Sequence, residues 1–481
     1  MQNTRLIGLF RLLSTKERRK FKEYIHSPFF NKNEKLQQLH DLLALQAPKF
    51  PAKQIEKRRL YQQLFPKSPY KELSLNNLIS DLLQKLYEFL AHQKYTEKPH
   101  LQKSFQLEWL LEKDAYSHAE KELKRYRQLQ DKNHYRNYDY YLQEYLFYER
   151  SDYYHVSHSN RKEEESLQLQ SNHLDWYYFT NKMRLACDMA SRNTVIKATY
   201  ECRFLEDLIQ KYECNKHQLQ EMPALKVYYS IYQMLIHFEA EEYYRDLKAL
   251  LPQYYRLFPQ AELRTIYNYV LNYCIRKVNS GRSMYYRESL DLYKILLEQK
   301  TIFLNGYLTQ WTYKNITTIA IRVKDYDWIE SFIHDYKDAL LPEERNNAFA
   351  YNSAALYHAR KDYKRALLQL QDVEFTATSY YMGAKIIQVK SYYELAEFEA
   401  LFALIEAFKK YLLRRREISD YRRKANNNFL NLVKRIVQLK SSRHTLRRLV
   451  LQQKVERLSE RLQAMNPVAN KDWLTEILQE I

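Results

Sequence analysis

Four side chains near the middle of the chain are of the types that bind zinc: Cys187, Cys202, Cys214 and His217. Structural zinc sites draw ligands in closely spaced pairs, because two groups from one tight turn form half a tetrahedron. Cys214 and His217 meet that spacing, with two residues between them, whereas Cys187 and Cys202 stand alone. The cysteines therefore read as small apolar residues packed between helices, where free Cys is commonly buried. His155 and His158 lie one helical turn apart beside Tyr153 and Tyr154. Such a pair ligates a metal only if a third ligand arrives from elsewhere. The plainer reading is a polar turn with exposed histidines.

No other reaction chemistry is legible. The four glycines stand at positions 8, 281, 306 and 383, too scattered for a glycine-rich phosphate loop or a dinucleotide fingerprint. There is no His-Glu-x-x-His helix, nucleophile elbow or calcium loop. The expectation is a protein that is not an enzyme and needs no cofactor.

Charge is the sharper signal. The 481 residues carry a net +19, unevenly distributed. Residues 1–60 hold 14 Lys+Arg against 5 Asp+Glu, and residues 409–461 hold 17 against 4. Those two segments reach +22 between them, so the rest of the chain sums to −3. Near the C-terminus the cations come as Arg414, Arg415 and Arg416, then Arg422, Arg423 and Lys424, then Lys434 and Arg435, then Arg443, Arg447 and Arg448. Beyond them, Leu451, Val455, Leu458, Leu462 and Met465 alternate four- and three-residue steps, a narrow apolar seam. Arg447, Lys454 and Arg461 recur every seven residues off that seam, so they form a cationic stripe facing solvent. Such a stripe can neutralise nucleic-acid phosphates, hold an acidic protein, rest on an anionic membrane surface, or simply raise solubility. No base-reading module is recognisable, so any nucleic-acid contact is expected to be non-specific.

The elements that must position these residues are helical. Hydrophobic residues make up 45% and aromatics 15% of the chain, enough for a large core. From His100 to Met222 there is neither Gly nor Pro, which disfavours hairpins and favours helices joined by polar turns. Candidate turns are Asp131-Lys132-Asn133, Ser157-His158-Ser159-Asn160, Ser171-Asn172-His173 and Ser191-Arg192-Asn193. Ser14-Thr15-Lys16-Glu17 is a capping box that starts a helix running to about Ile25. Leu75, Leu78, Ile79, Leu82, Leu83, Leu86, Phe89 and Leu90 form one helical stripe. Nine Tyr-Tyr dipeptides occur among the 45 tyrosines. Neighbours on a helix are about 100° apart, so one ring of each pair packs between helices and the other lies at the border. A surface of such rings is also suited to anchoring a peptide.

An internal repeat lies in the second half. Tyr326, Tyr363 and Phe398 sit in matching turns, with Tyr286 as an earlier member, at spacings of 40, 37 and 35 residues. The pattern is fullest at Tyr357…Tyr363…Ala366 and Tyr392…Phe398…Leu401, with an isolated instance at Lys113–Ala119. It predicts helix pairs: an aromatic near the end of the first helix, a short turn, and a second aromatic opening the next. One pair cannot bury its apolar face alone, so neighbours stack. Over residues 310–410 the chain resembles tetratricopeptide-like repeats. The Ser27-Pro28-Phe29-Phe30-Asn31 segment and the 310–424 stretch also resemble a family of uncharacterised long helical proteins of Bacteroidota. That resemblance implies an all-helical fold in a bacterial cytosol.

The sequence thus predicts an all-α protein, an irregular tetratricopeptide-like α-solenoid with a small N-terminal helical domain. The expected parts are a basic helical domain at 1–95, the helical-pair solenoid at 100–410 and basic capping helices at 411–481. Few cysteines, no signal-peptide pattern and no apolar run long enough to span a membrane lead to an expected cytoplasmic location. The first expected function is a non-enzymatic interaction scaffold holding a peptide or helix of a protein partner. The alternative is a nucleic-acid- or ribosome-associated factor using the basic terminal helices.

Overall fold

Glycine-poor, proline-punctuated sequence leaves few places for the chain to leave a helix, and the computed structural model is built accordingly. It describes residues 1–158, 165–193, 199–215, 222–371, 373, 377–443 and 447–481. Among the described residues the protein is all-α, with 23 α-helices and no sheet.

By packing, the chain forms two compact units. The first comprises Met1–Arg184 and Phe204–Leu225, the second Leu185–Arg203 and Lys226–Ile481. The helices run α1 (Arg5–Leu12), α2 (Thr15–His26), α3 (Glu34–Ala44), α4 (Lys57–Leu64), α5 (Glu72–Thr96), α6 (Pro99–Glu112), α7 (Tyr116–Asp131), α8 (Tyr138–Ser157) and α9 (Ser166–Asn193). They continue with α10 (Leu205–Cys214), α11 (Pro223–Ile236), α12 (Glu241–Tyr254), α13 (Gln260–Asn279), α14 (Tyr285–Glu298), α15 (Gln310–Val323) and α16 (Tyr326–Asp335). The last are α17 (Pro342–Ala359), α18 (Tyr363–Gln369), α19 (Thr378–Glu394), α20 (Phe398–Arg414), α21 (Asp420–Ser441), α22 (Arg448–Ala464) and α23 (Lys471–Gln479).

In the first unit, the Ser14–Glu17 capping box forms as expected and starts α2. The α5 stripe turns Leu75, Leu78, Leu82, Leu86 and Phe89 into a core shared with α1 to α4. Farther along, Leu107 and Leu111 of α6, Leu123 and Tyr126 of α7, and Phe147 and Tyr154 of α8 make a separate core. A half-buried ion pair joins α7 to α8 beside it. Arg127 grips Glu144 with two bonds, of 2.8 and 3.0 Å, and Glu144 is only 2% exposed. That fork fixes α7 against α8.

Two expected turns are helical instead, Ser191-Arg192-Asn193 as the last three residues of α9. Ser171-Asn172-His173 lies inside α9, where His173 is buried against Tyr148 at 5.4 Å. Polar residues without Gly or Pro do not break a helix when tertiary packing buries one of them. Ser159 and Asn160 lie outside the described residues.

The second unit stacks consecutive helices: α15 packs on α16 and α17, α17 on α18 and α19, α19 on α20, and α20 on α21. The repeat aromatics open helices as expected, since Tyr326, Tyr363 and Phe398 are the first residues of α16, α18 and α20. Their turns share one geometry. Lys324 (φ +63°), Lys361 (φ +65°) and Ala396 (φ +58°) each stand two residues before the aromatic in the left-handed region. The following N–H reaches five residues back: Asp325 to Ala320 at 3.1 Å, Asp362 to Tyr357 at 2.9 Å, and Glu397 to Tyr392 at 3.0 Å. This is the Schellman closure of a helix. Asp114 (φ +54°) and the Ala115-to-Leu110 bond of 2.9 Å repeat it before Tyr116. The α13–α14 turn uses Gly281 but is longer, so Tyr286 is the second residue of α14.

Burial refines the roles of these residues. Ala366 and Leu401 are fully buried and let the paired helices approach. Tyr357 and Tyr392 are half-buried, and Tyr393 is the ring sealed in the core. Seven of the nine Tyr-Tyr pairs bury just one ring: Tyr141, Tyr154, Tyr228, Tyr244, Tyr285, Tyr380 or Tyr393. Gly383 marks the tightest approach, because a Cβ there would lie 2.7 Å from the Tyr351 ring on α17.

Candidate binding grooves

Two grooves stand out, one in each unit. In the first unit α6 carries apolar residues on two sides. Leu107 and Leu111 face the core, and each such burial contributes about 1.5–3 kcal/mol. Phe105 and Trp109, one turn apart, face the other way and are 54% and 58% exposed. They line a cleft of about 820 Å³ between α6 and α7, with Tyr95 at one end, 6.1 Å from Phe105 between ring centres. The rim is cationic. Lys103 and Arg125 both pair with Glu122, while Lys121 and His118 line the cleft without an ion partner among the described residues.

The second groove lies between α21 and α22. Leu458 and Leu462 turn into the core with Phe429, Leu432 and Ile436, and Leu451, Val455 and Met465 are half-buried, so the expected seam packs on α21. Beside that seam Lys454, Arg457 and Arg461 are exposed at three- and four-residue steps. Across from them α21 presents Asn428, Asn431, Arg435 and Gln438, with its C-cap Ser442, also at three- and four-residue steps. The two rows enclose adjoining hollows of about 410 and 330 Å³, sharing Arg435, Gln438 and Arg461. Among the described residues no carboxylate lines either hollow, and Arg435, Lys454, Arg457 and Arg461 have no carboxylate partner.

The other sequence-predicted cations have different settings. Arg423 holds the chain together: it donates to the carbonyls of Leu412, Arg415 and Ile418 and pairs with Asp420 at 2.5 Å. Arg415 pairs with Glu417 at 3.5 Å and lies over the Tyr411 ring. With Arg414 it lines a separate cleft of about 600 Å³ beside the stacked Tyr381 and Tyr411 rings, 3.9 Å apart. Arg416, Arg422, Lys424, Arg443 and Arg447 are exposed. Arg435 stands thirteen positions after Arg422 on α21, about 20 Å along the helix, so the run is not one site.

Arg457, Phe105 and Trp109 were not legible as site residues. A seven-residue reading selects Arg447, Lys454 and Arg461, whereas the groove follows the steps 454, 457, 461. For α6 the signal was an excess of apolar residues beyond what one helical face can bury.

The metal readings resolve on geometry. His217 lies outside the described residues. Cys187 is buried and its thiol donates to the Tyr228 carbonyl at 3.1 Å, while Cys214 is exposed. His158 stacks on Tyr154, its ring centre 5.6 Å away. Among the described residues one trio of metal-ligand types converges: His26, His40 and Asp41. His26 Nε2 and His40 Nδ1 each lie 3.0 Å from Asp41 Oδ1, and Lys22 Nζ is 4.0 Å from the same oxygen. A ligating histidine needs an acceptor for its second ring N–H. His40 Nε2 is buried without one, its ring between Phe10 and Phe21. The trio is therefore a hydrogen-bond network, and burial holds the His40 pKa below the ordinary histidine value against the pull of Asp41.

Two lysines are also shifted. Burial lowers Lys314 to about 8, with Arg422 adding to it, and its ammonium lies over the rings of Tyr351 and Tyr380 at 4.5 and 5.0 Å. Burial likewise lowers Lys390 to about 8, beside the Trp473 ring at 5.2 Å. Both amines are held by aromatic faces.

The chain matches no protein-family model, no curated protein and no solved structure. No helix among the described residues is long and apolar enough to cross a membrane.

Proposed function

We propose that this chain is a non-catalytic, cytoplasmic interaction scaffold that holds an amphipathic helix of a partner protein in the α6–α7 groove. The observation that carries the reading is the exposure of Phe105 and Trp109 in a cleft of about 820 Å³. Trp is the residue most enriched at interface hot spots, and rings one turn apart match the i, i+4 anchors of a docked helix. The cationic rim selects acidic residues flanking the partner's apolar ridge. The tetratricopeptide-like stacking of the second unit supports a scaffold role by analogy of form.

A photo-crosslinking side chain placed at position 109 tests this in the native cell. One dominant protein should be captured there and not from position 368, where Leu368 is also exposed but lies outside the cleft. The captured segment should carry acidic residues beside apolar ones. Equal labelling from both positions would overturn the proposal.

A further inference from the structure

The α21–α22 groove has features that solubility alone does not require. Cations scattered on a solvated face normally alternate with carboxylates, and α22 does carry Glu456 and Glu460. Both glutamates lie at least 60° farther round the helix than Arg457, by 100° per residue. The acidic side chains are thus segregated from the groove and the cations concentrated in it. Opposite them, α21 offers Asn431, Arg435 and Gln438, whose amide and guanidinium groups donate hydrogen bonds. Asn428 already donates to the Pro467 carbonyl and Ser442 to the carbonyls of Gln438 and Leu439, so the row of donors turned to the groove runs from Asn431 to Gln438, about 10 Å along α21. Four cations without a carboxylate partner therefore line an elongated groove furnished with neutral donors.

We propose that this groove binds the phosphate backbone of single-stranded nucleic acid, independently of base sequence. Arg435, Arg457 and Arg461 supply forked guanidinium donors that match phosphate oxygens, and Lys454 supplies a point charge. A groove between two packed helices, whose axes lie about 10 Å apart, is too narrow for a duplex but admits one strand. No aromatic ring lines it among the described residues, so the bases gain no stacking platform there and the backbone alone is held. An acidic peptide is the less suited occupant. Its carboxylates alternate with amide N–H groups that compete for acceptors, whereas a phosphate chain presents only acceptors to this row of donors.

The test uses the full chain and a fluorescein-labelled oligo-U of about twelve nucleotides, followed by anisotropy. Binding is expected at about 50 mM salt, weakening as salt rises with a log–log slope near −3 for four phosphate contacts. Arg457→Glu with Arg461→Glu should weaken binding at least tenfold, and Arg457→Gln with Arg461→Gln should flatten the slope by about 1.4. Both substitutions are at exposed positions, and an unchanged circular dichroism melt confirms folding. Arg18→Glu with Arg19→Glu, on α2, which is more basic than α22, should leave affinity unchanged. Linear inorganic polyphosphate should compete, as it shares the chemistry. Binding of labelled polyphosphate without any oligo-U binding would instead assign the groove to free polyphosphate and overturn the nucleic-acid source. Competition by poly-glutamate as strong as by polyphosphate would overturn the phosphate assignment. So would undiminished binding by the groove variants.

Discussion

At Ala396 the backbone adopts φ +58°, and the same left-handed turn recurs at Lys324, Lys361 and Asp114. An L-residue pays about 1–2 kcal/mol there, and glycine pays none. This is the residue-scale meaning of four glycines in 481 residues: the helix ends are closed by Schellman bonds that Lys, Asp and Ala make under strain. Ala396 is exposed, so its methyl contributes no packing. Ala396→Gly should therefore stabilise the second unit by about 0.5–1 kcal/mol, after allowing for glycine's extra chain entropy. In thermal unfolding its midpoint should rise by roughly 2 °C. An unchanged or lowered midpoint would mean that the turn is not strained. The turns were visible in the sequence through their aromatics Tyr326, Tyr363 and Phe398, but their left-handed geometry was not, because Lys and Ala do not announce it as glycine does.

Helices hold two histidines neutral by the way they pack. His173 of α9 lies under Tyr148 of α8, and burial, aided by Arg127, holds its pKa down to about 4. Burial lowers His358 of α17 to about 4 as well, with Lys390 contributing. An unfolded histidine titrates near 6.5. Between those values the unfolded chain takes up protons that the folded chain refuses, so the histidines' contribution to stability is lost as pH drops from about 6.5 to about 4 and is constant above. Urea unfolding at pH 7.5 and pH 5 should show the loss, and His173→Gln should reduce it for the first unit. A pH-independent midpoint would contradict the burial of these rings. Elements with strong periodicity, such as α2 and α5, were legible because one face alone meets the core. The course of α9 through Ser171-Asn172-His173 was not, since what keeps it helical is a contact with a different helix.

At the scale of the whole molecule, each unit carries its own groove. The net +19 resolves into basic segments at the two ends, and within the C-terminal one the cations divide into structural, paired and groove-lining groups. Composition could locate the segment but not that division, because Arg423 and Arg457 differ only in what surrounds them. The aromatic groove belongs to the first unit and the cationic groove to the second, so a scaffold acting through Trp109 should not depend on Arg457 or Arg461. The most direct measurement is calorimetric titration of the segment captured at position 109, as a synthetic peptide, into the full chain. Binding to the unaltered chain and to the Arg457→Glu, Arg461→Glu variant should be the same, and Trp109→Ala should weaken it at least tenfold. Equal affinity for Trp109→Ala and the unaltered chain would contradict the account.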